Sequence, residues 1–264
     1  MWVTHSALSI KQPNAGMDQF SSSCGDPIIQ TLYQSYDAWK GWGTPFTCPE
    51  ELQRYFAGEC EGAVIAGGNV LELGFGSGTF LAWAHGQGAR VHGTEINPAF
   101  IAAGEMFGVT ILAPAIEEHA DAYPEQFDTV VAFDVFEHFS LNEITDRLQA
   151  IEAMLSPGGH VILRFPNAQS PFGLAPQFGD ATHKTALSRS IIEQLIETMN
   201  LEVVRYGPSF RVAGSGLVSR TGRRLRWLMR DTIAGVLNAI YGQNIPWDPV
   251  VTLVLQKPVR DTAA

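Results

Sequence analysis

The chain of 264 residues predicts an α/β fold in which a mostly parallel sheet carries helices on both faces. Apolar, β-type runs recur at "NVLELG", "RVHGTEI", "VTIL", "FDTVVAF", "GGHVILRF", "LEVVRY" and "VVTLVLQ". Helical text separates most of them: "GTFLAWAHGQ", "PAFIAAGEMF", "LNEITDRLQAIEAML" and "SRSIIEQLIETMN". The runs are also continuous rather than alternating, as expected of strands covered on both sides. Strands that alternate with helices pair in parallel through crossovers, which gives a doubly wound sheet.

Ahead of the sheet, residues 1–26 are polar and read as a loosely held arm. "PIIQTLYQSYDAWKGWG" predicts a helix, since Tyr33, Tyr36, Trp39 and Trp42 recur every three residues. "PEELQRYFAGEC" predicts a second, opened by Pro49 and two acids. These segments make residues 1–60 an N-terminal cap and leave 61–264 for the sheet domain. Between the last two strands lie about 43 residues, too many for a bare loop, so a helical insertion is expected at about 212–245.

A formal charge of −10 argues against a nucleic-acid groove, because phosphate backbones require a basic field. Cys24, Cys48 and Cys60 are odd in number and lack zinc-finger spacing, so a reduced compartment is favoured over a disulfide framework. With neither a signal-peptide pattern nor a stretch of about 18 apolar residues, the expectation is a cytoplasmic protein.

"VLELGFGSGTFL" runs from an apolar strand through Gly74, Gly76 and Gly78 into a helix. Glycines there permit positive φ and let a ligand touch the main chain, and the helix start behind them offers free N–H groups. The next strand ends in Glu95, 21 residues after Gly74, where a carboxylate can accept from both hydroxyls of a ribose. A dinucleotide fingerprint would need glycine at Thr79. The tighter G-x-G-x-G turn, with Glu72 just ahead of it, favours a nucleoside ligand without a pyrophosphate.

"LELGFGSGTF", "GTEINP", "FDTVVAFDVFEHF" and "LSPGGHVILRFPN", in that order, resemble the successive motifs of class I S-adenosylmethionine-dependent methyltransferases, over roughly residues 68–206. That resemblance implies a Rossmann-like, doubly wound, seven-stranded sheet whose last strand is antiparallel. It also implies that the Gly74–Gly78 turn holds the methionine part of S-adenosylmethionine, Glu95 the ribose hydroxyls, and Ile96 the adenine face. By the same resemblance Glu72 braces the turn or reaches the cofactor's amine, and Ile116, in "ILAPAIEEH" where many relatives carry an Asp for the adenine amine, offers the adenine only backbone groups.

In a doubly wound sheet, ligands lie outside the C-terminal ends of the first and fourth strands. "FDVFEH" leaves the fourth strand and brings Asp134, Glu137 and His138 to that crevice; His183 and Asp180, in the loop after the fifth strand, open on the same edge. His183 is the expected general base, with Asp134, Glu137 and His138 shaping the acceptor site, and Asp134 also reaching the cofactor. An E-x-x-E-H string plus a distant His binds metal in the ubiquinone-biosynthesis O-methyltransferases and the plant small-RNA 2′-O-methyltransferases. Similarity to them makes Asp134, Glu137, His138 and His183 an alternative site for Mg²⁺ or another divalent cation.

"RFPNAQSPFGLAPQFGDATHKTALS" resembles a loop of methyltransferases encoded with bacterial surface-polysaccharide genes, which implies a sugar or glycan hydroxyl as acceptor. Asn167, Gln169, Ser170, Gln177 and Thr182 suit a polyhydroxylated ligand, and Trp39 or Trp42 could stack on a sugar face. The insertion holds Arg220, Arg223, Arg224, Arg226 and Arg230 among apolar residues, in the manner of a helix that meets a membrane surface or a phosphate. The expected activity is O-methyl transfer to a small or glycan-like acceptor. Its rivals are C- or N-methylation, a nicotinamide oxidoreductase and a non-catalytic cofactor-binding partner. Homo-oligomer formation through the N-terminal helices stays open.

Overall fold

The computed structural model describes residues 43–259. The arm and all but the last residue of the helix predicted over 27–43, including its tryptophans Trp39 and Trp42, lie outside the described residues. The elements that follow are α1 (Glu50–Glu59), β1 (Asn69–Leu73), α2 (Thr79–Gly86), β2 (Arg90–Thr94), α3 (Pro98–Phe107), β3 (Thr110–Leu112) and β4 (Phe127–Phe133). After them come α4 (Leu141–Met154), β5 (Leu155–Pro166), α5 (Leu174–Phe178), α6 (Arg189–Leu195), β6 (Glu202–Pro208), α7 (Leu217–Tyr241) and β7 (Val250–Gln256). Short 3-10 turns at Ile116–Ala122, Phe136–His138 and Pro171–Gly173 complete the path.

The seven strands form one sheet in the order β3-β2-β1-β4-β5-β7-β6. The β1–β5 pairings are parallel, while β7 runs antiparallel to both β5 and β6, so the final strand alone is reversed. Strand order switches between β1 and β4, which places a crevice at their C-terminal ends.

Side chains alternate across the strands and sort into two cores. On one face Leu71, Leu73, Val130 and Leu163 pack with Ile144, Leu148 and Ile151 of α4 and Ile192 of α6. On the other, Val70, Val131 and Ile162 pack with Phe56 of α1 and with Phe80, Leu81 and Ala84 of α2. This burial on both sides explains why the strands read as unbroken apolar runs. Phe56 packs edge-on and tilted among Phe80, Trp83 and Phe133, so α1 shares the core of the sheet.

Helix signals in the sequence match local caps. Ser140 and Glu143 close a capping box at α4, Asn97 caps α3 with Pro98 in its first turn, and Ser188 caps α6. The predicted insertion is a single 25-residue helix, α7, closed by Gly242 in the left-handed region.

Candidate active site

The glycine turn after β1 has the backbone its sequence implies. Gly74, Gly76 and Gly78 have φ of +60°, +51° and +71°. At Gly74 a Cβ would lie 2.9 Å from Val135, so glycine is required for space as well as for conformation. The chain ahead of α1 crosses behind the turn, where the Phe46 amide donates to the Ser77 carbonyl at 2.8 Å.

Glu95 ends β2 against this turn. One carboxylate oxygen accepts from the Gly76 amide at 2.7 Å, and the other accepts from the Ile96 and Asn97 amides at 2.7 and 2.9 Å. A carboxylate has about four acceptor positions, so capacity remains for a ribose hydroxyl. The three backbone donors fix where that capacity points. Ile96, beside it, is 38% exposed and can cover a flat ring. The Ile116 side chain is fully buried in the core, which leaves only its backbone to meet an adenine. The reason is the 3-10 turn after β3, which rolls this residue under the sheet rather than into the crevice.

Glu72 lies buried beneath the turn, and its Oε2 has no hydrogen-bond partner among the described residues. Burial, reinforced by the nearby Glu95 charge, raises its pKa well above the ordinary 4.5. A folded carboxyl that keeps its proton while the unfolded one releases it lowers stability as pH rises above that ordinary value. Glu72→Gln should therefore flatten the fall in thermal stability between pH 5 and 7, by up to about 1.4 kcal/mol per pH unit at the steepest point. Parallel melting curves across that range check the effect.

Asp134 leaves β4 with φ +57°, a left-handed conformation that turns its side chain toward Arg164 of β5. The guanidinium grips both carboxylate oxygens, one at 3.0 Å from Nε, and donates from Nη1 to the Tyr55 hydroxyl at 2.8 Å. Arg164 also lies over the Phe133 ring, 5.2 Å from its centroid. Asp134 is thus tied into an Asp–Arg–Tyr chain, while its carboxylate keeps partial exposure at the crevice.

Glu137, His138 and His183 converge as the sequence spacing suggested. One ligand atom from each lies within 4.8 Å of the others. The two loops are stitched by backbone: Lys184 and Thr185 amides donate to the Glu137 carbonyl at 2.8 and 3.1 Å, and the Thr185 hydroxyl donates to Phe139 at 2.6 Å. His183 directs Nδ1 at the Gln177 carbonyl, 3.0 Å away, and so carries its proton there. Thr182 donates its hydroxyl to Asp180 at 2.5 Å and is left to accept from His138 Nδ1 at 2.9 Å. Both imidazoles therefore present a lone pair on Nε2. The Nε2 of His183 stands 3.9 Å from Glu137 and 3.8 Å from Asp180, longer than hydrogen bonds. Asp134, expected with this cluster as a cation ligand, is held instead by Arg164, because the left-handed turn points it back along β5.

The polar residues expected to greet a sugar serve the fold. Asn167 is buried and donates to the Pro246 and Asp248 carbonyls at 2.8 and 3.0 Å, and Ser170 donates to Trp247 at 2.9 Å. Gln169 accepts from Tyr206, and Gln177 and Thr182 are buried around the histidines. This loop pins the end of the insertion and offers little to a polyhydroxylated ligand.

Sequence reasoning missed Arg164 and Tyr55. Arg164 stood inside an apolar run, the one signal available, while nothing linked it to a tyrosine 109 positions earlier. It also missed Glu59, buried at the end of α1, which accepts from the Phe210 amide at 2.7 Å and from Thr252 at 3.0 Å.

A profile of the methyltransferase-domain family matches residues 47–206, more than half of the chain. Curated relatives include ubiquinone biosynthesis O-methyltransferases of Pseudomonas syringae pv. tomato, 32% identical over 107 residues, and of Vibrio cholerae serotype O1, 27% identical over 106 residues. These matches cover 38% and 37% of this chain, and 45% and 41% of those proteins. The chain thus aligns with less than half the length of the curated relatives it matches. Among solved structures, a SAM dependent methyltransferase from Archaeoglobus fulgidus superposes with a TM-score of 0.59 at 18% identity, covering 85% of this chain and 99% of that one. The Burkholderia thailandensis 1,6-didemethyltoxoflavin-N1-methyltransferase, solved with S-adenosylhomocysteine, gives 0.54 at 13% identity, covering 94% and 93%. Such low identities speak for the fold alone. The profile match spans the glycine turn, Glu95 and both histidines, and the chain belongs to the class I S-adenosylmethionine-dependent methyltransferase family.

Proposed function

We propose that this chain transfers a methyl group from S-adenosylmethionine to a hydroxyl oxygen of a small acceptor. The observation that carries the reading is the convergence of Glu137, His138 and His183 at the sheet edge that also holds the glycine turn and Glu95. The O-methyltransferase names of the curated relatives support oxygen as the site of transfer.

S-adenosylmethionine supplies a methyl group already activated on a cationic sulfur. What remains for the chain is to hold and orient the reactants and to make the acceptor nucleophilic. Gly74, Gly76 and Gly78 open the backbone to the amino-acid end, and Glu95 takes the ribose hydroxyls. Asp134, fixed by Arg164, lines the crevice between them and the acceptor. His183 accepts the hydroxyl proton on Nε2 as the oxygen bonds to carbon and the carbon–sulfur bond breaks. The Gln177 carbonyl keeps the imidazole in the required tautomer, and the Glu137 and Asp180 carboxylates stand 3.9 and 3.8 Å from the nitrogen that gains the proton.

Two imidazole nitrogens and a carboxylate also fit a divalent cation, and their donor set suits zinc, iron or manganese better than Mg²⁺. Glu137, His138 and His183 would hold it, where it would lower the pKa of the acceptor hydroxyl.

The test is turnover of radiolabelled S-adenosylmethionine against a panel of phenols, alcohols and sugars, with products mapped by mass spectrometry. Label on oxygen, retained or lost after chelation and restored by one cation, is the expected result. Label confined to carbon or nitrogen would replace this reading with a different transferase.

A further inference from the structure

The geometry of α7 points to a second function, peripheral attachment of this protein to an anionic lipid bilayer. The helix is about 37 Å long at 1.5 Å per residue, yet not one of its 25 residues is buried. It docks by one narrow side, where Arg223, Trp227, Ala234, Leu237 and Asn238 are half-buried. On the opposite side Val218, Leu225, Met229, Val236 and Ile240 follow one another at intervals of seven and four. Each is more than half exposed, Val218 to 88%. That is a continuous apolar stripe turned away from the domain, where a surface helix ordinarily turns its polar face.

The basic residues identify what the stripe meets. Arg220, Arg223 and Arg230 are engaged by the domain through Gly214, Glu51 and Asp248. Arg224 and Arg226 are exposed and flank Leu225, each about 100° around the axis from it. Side chains placed so can lay their stems along an acyl surface and lift their guanidinium groups to lipid phosphates. The helix carries five arginines and one acid, Asp231, in a chain of net charge −10. Positive charge is therefore concentrated on the element with the exposed apolar face, which is the pattern an anionic leaflet attracts. No helix among the described residues is long and apolar enough to cross a membrane, so the attachment is in the interface plane.

A second copy of this chain fits the face less well. Two α7 helices pairing through the stripe would bring Arg224 and Arg226 against their counterparts with only Asp231 to offset them. The attachment does not depend on the methyl-transfer reading, and a binding readout is blind to it.

Sedimentation of the full chain with phosphatidylcholine vesicles, with and without phosphatidylglycerol, tests the proposal. Binding is expected only with the anionic lipid, weakening steeply as salt rises. Arg224→Gln and Arg226→Gln should each lower the partition coefficient about fivefold. Leu225→Ser with Met229→Ser should abolish sedimentation while melting temperature and S-adenosylmethionine affinity stay at wild-type values, as expected of exposed positions. Overturning outcomes are no anionic-vesicle binding, binding that these four substitutions leave unchanged, or light scattering showing a dimer that dissociates when the stripe is made polar.

Discussion

Replacing His183 by alanine is expected to lower turnover about 10²–10⁴-fold while leaving the affinity for S-adenosylmethionine unchanged. The side chain is almost fully enclosed, and its Nδ1 hydrogen bond runs to the Gln177 carbonyl, so its loss removes the proton acceptor without touching the glycine turn. Comparison with His138→Ala separates the two chemistries open to the cluster. If His183 acts as a base alone, His138→Ala is the milder change, because His138 lines the site and takes no proton. If the three residues hold a cation, both substitutions cost similar amounts, and raising the cation concentration partly restores each. Initial rates at saturating cofactor, with chelator and with added zinc or manganese, decide between them.

Replacing Glu95 by alanine should weaken S-adenosylmethionine binding by about 10²-fold or more. The carboxylate organises Gly76, Ile96 and Asn97 amides around one buried point, and each hydrogen bond to a charged group is worth about 1.5–3 kcal/mol. Alanine leaves those donors unmet and removes the acceptor for the ribose. Glu95→Gln keeps the shape but turns one oxygen into a donor facing amide hydrogens, so it should recover little of the loss. Fluorescence or calorimetric titration gives the affinities, and circular dichroism confirms that the sheet survives.

Much of the architecture could be read before any coordinates. Strands buried on both faces leave continuous apolar runs, which made β1, β2, β4, β5 and β7 plain, and the length between β6 and β7 required the helix now seen as α7. The glycine turn and Glu95 were legible because positive φ and a strand-end acid leave fixed spacings. Glu137, His138 and His183 were found because two loops leaving adjacent parallel strands must open on one edge. What escaped was set by distant partners. Tyr55 of α1 and Arg164 of β5 meet only in the folded chain, and the inward turn of Asn167 and Ser170 depends on carbonyls nearly 80 residues later. An amide side chain in a loop reads the same whether it faces a ligand or braces a neighbouring segment, which is why the sugar-binding expectation for that loop failed. Asp134 was placed at the right crevice, but its left-handed turn toward Arg164 had no signature in the residue type alone.

The turn of three glycines and Glu95 together form the proposed binding site for S-adenosylmethionine. Isothermal titration of the full chain with S-adenosylmethionine, and separately with S-adenosylhomocysteine, measures it directly. One saturable site per chain is expected for both ligands, lost in Glu95→Ala. An absence of heat with either ligand, or binding that Glu95→Ala leaves intact, would contradict it.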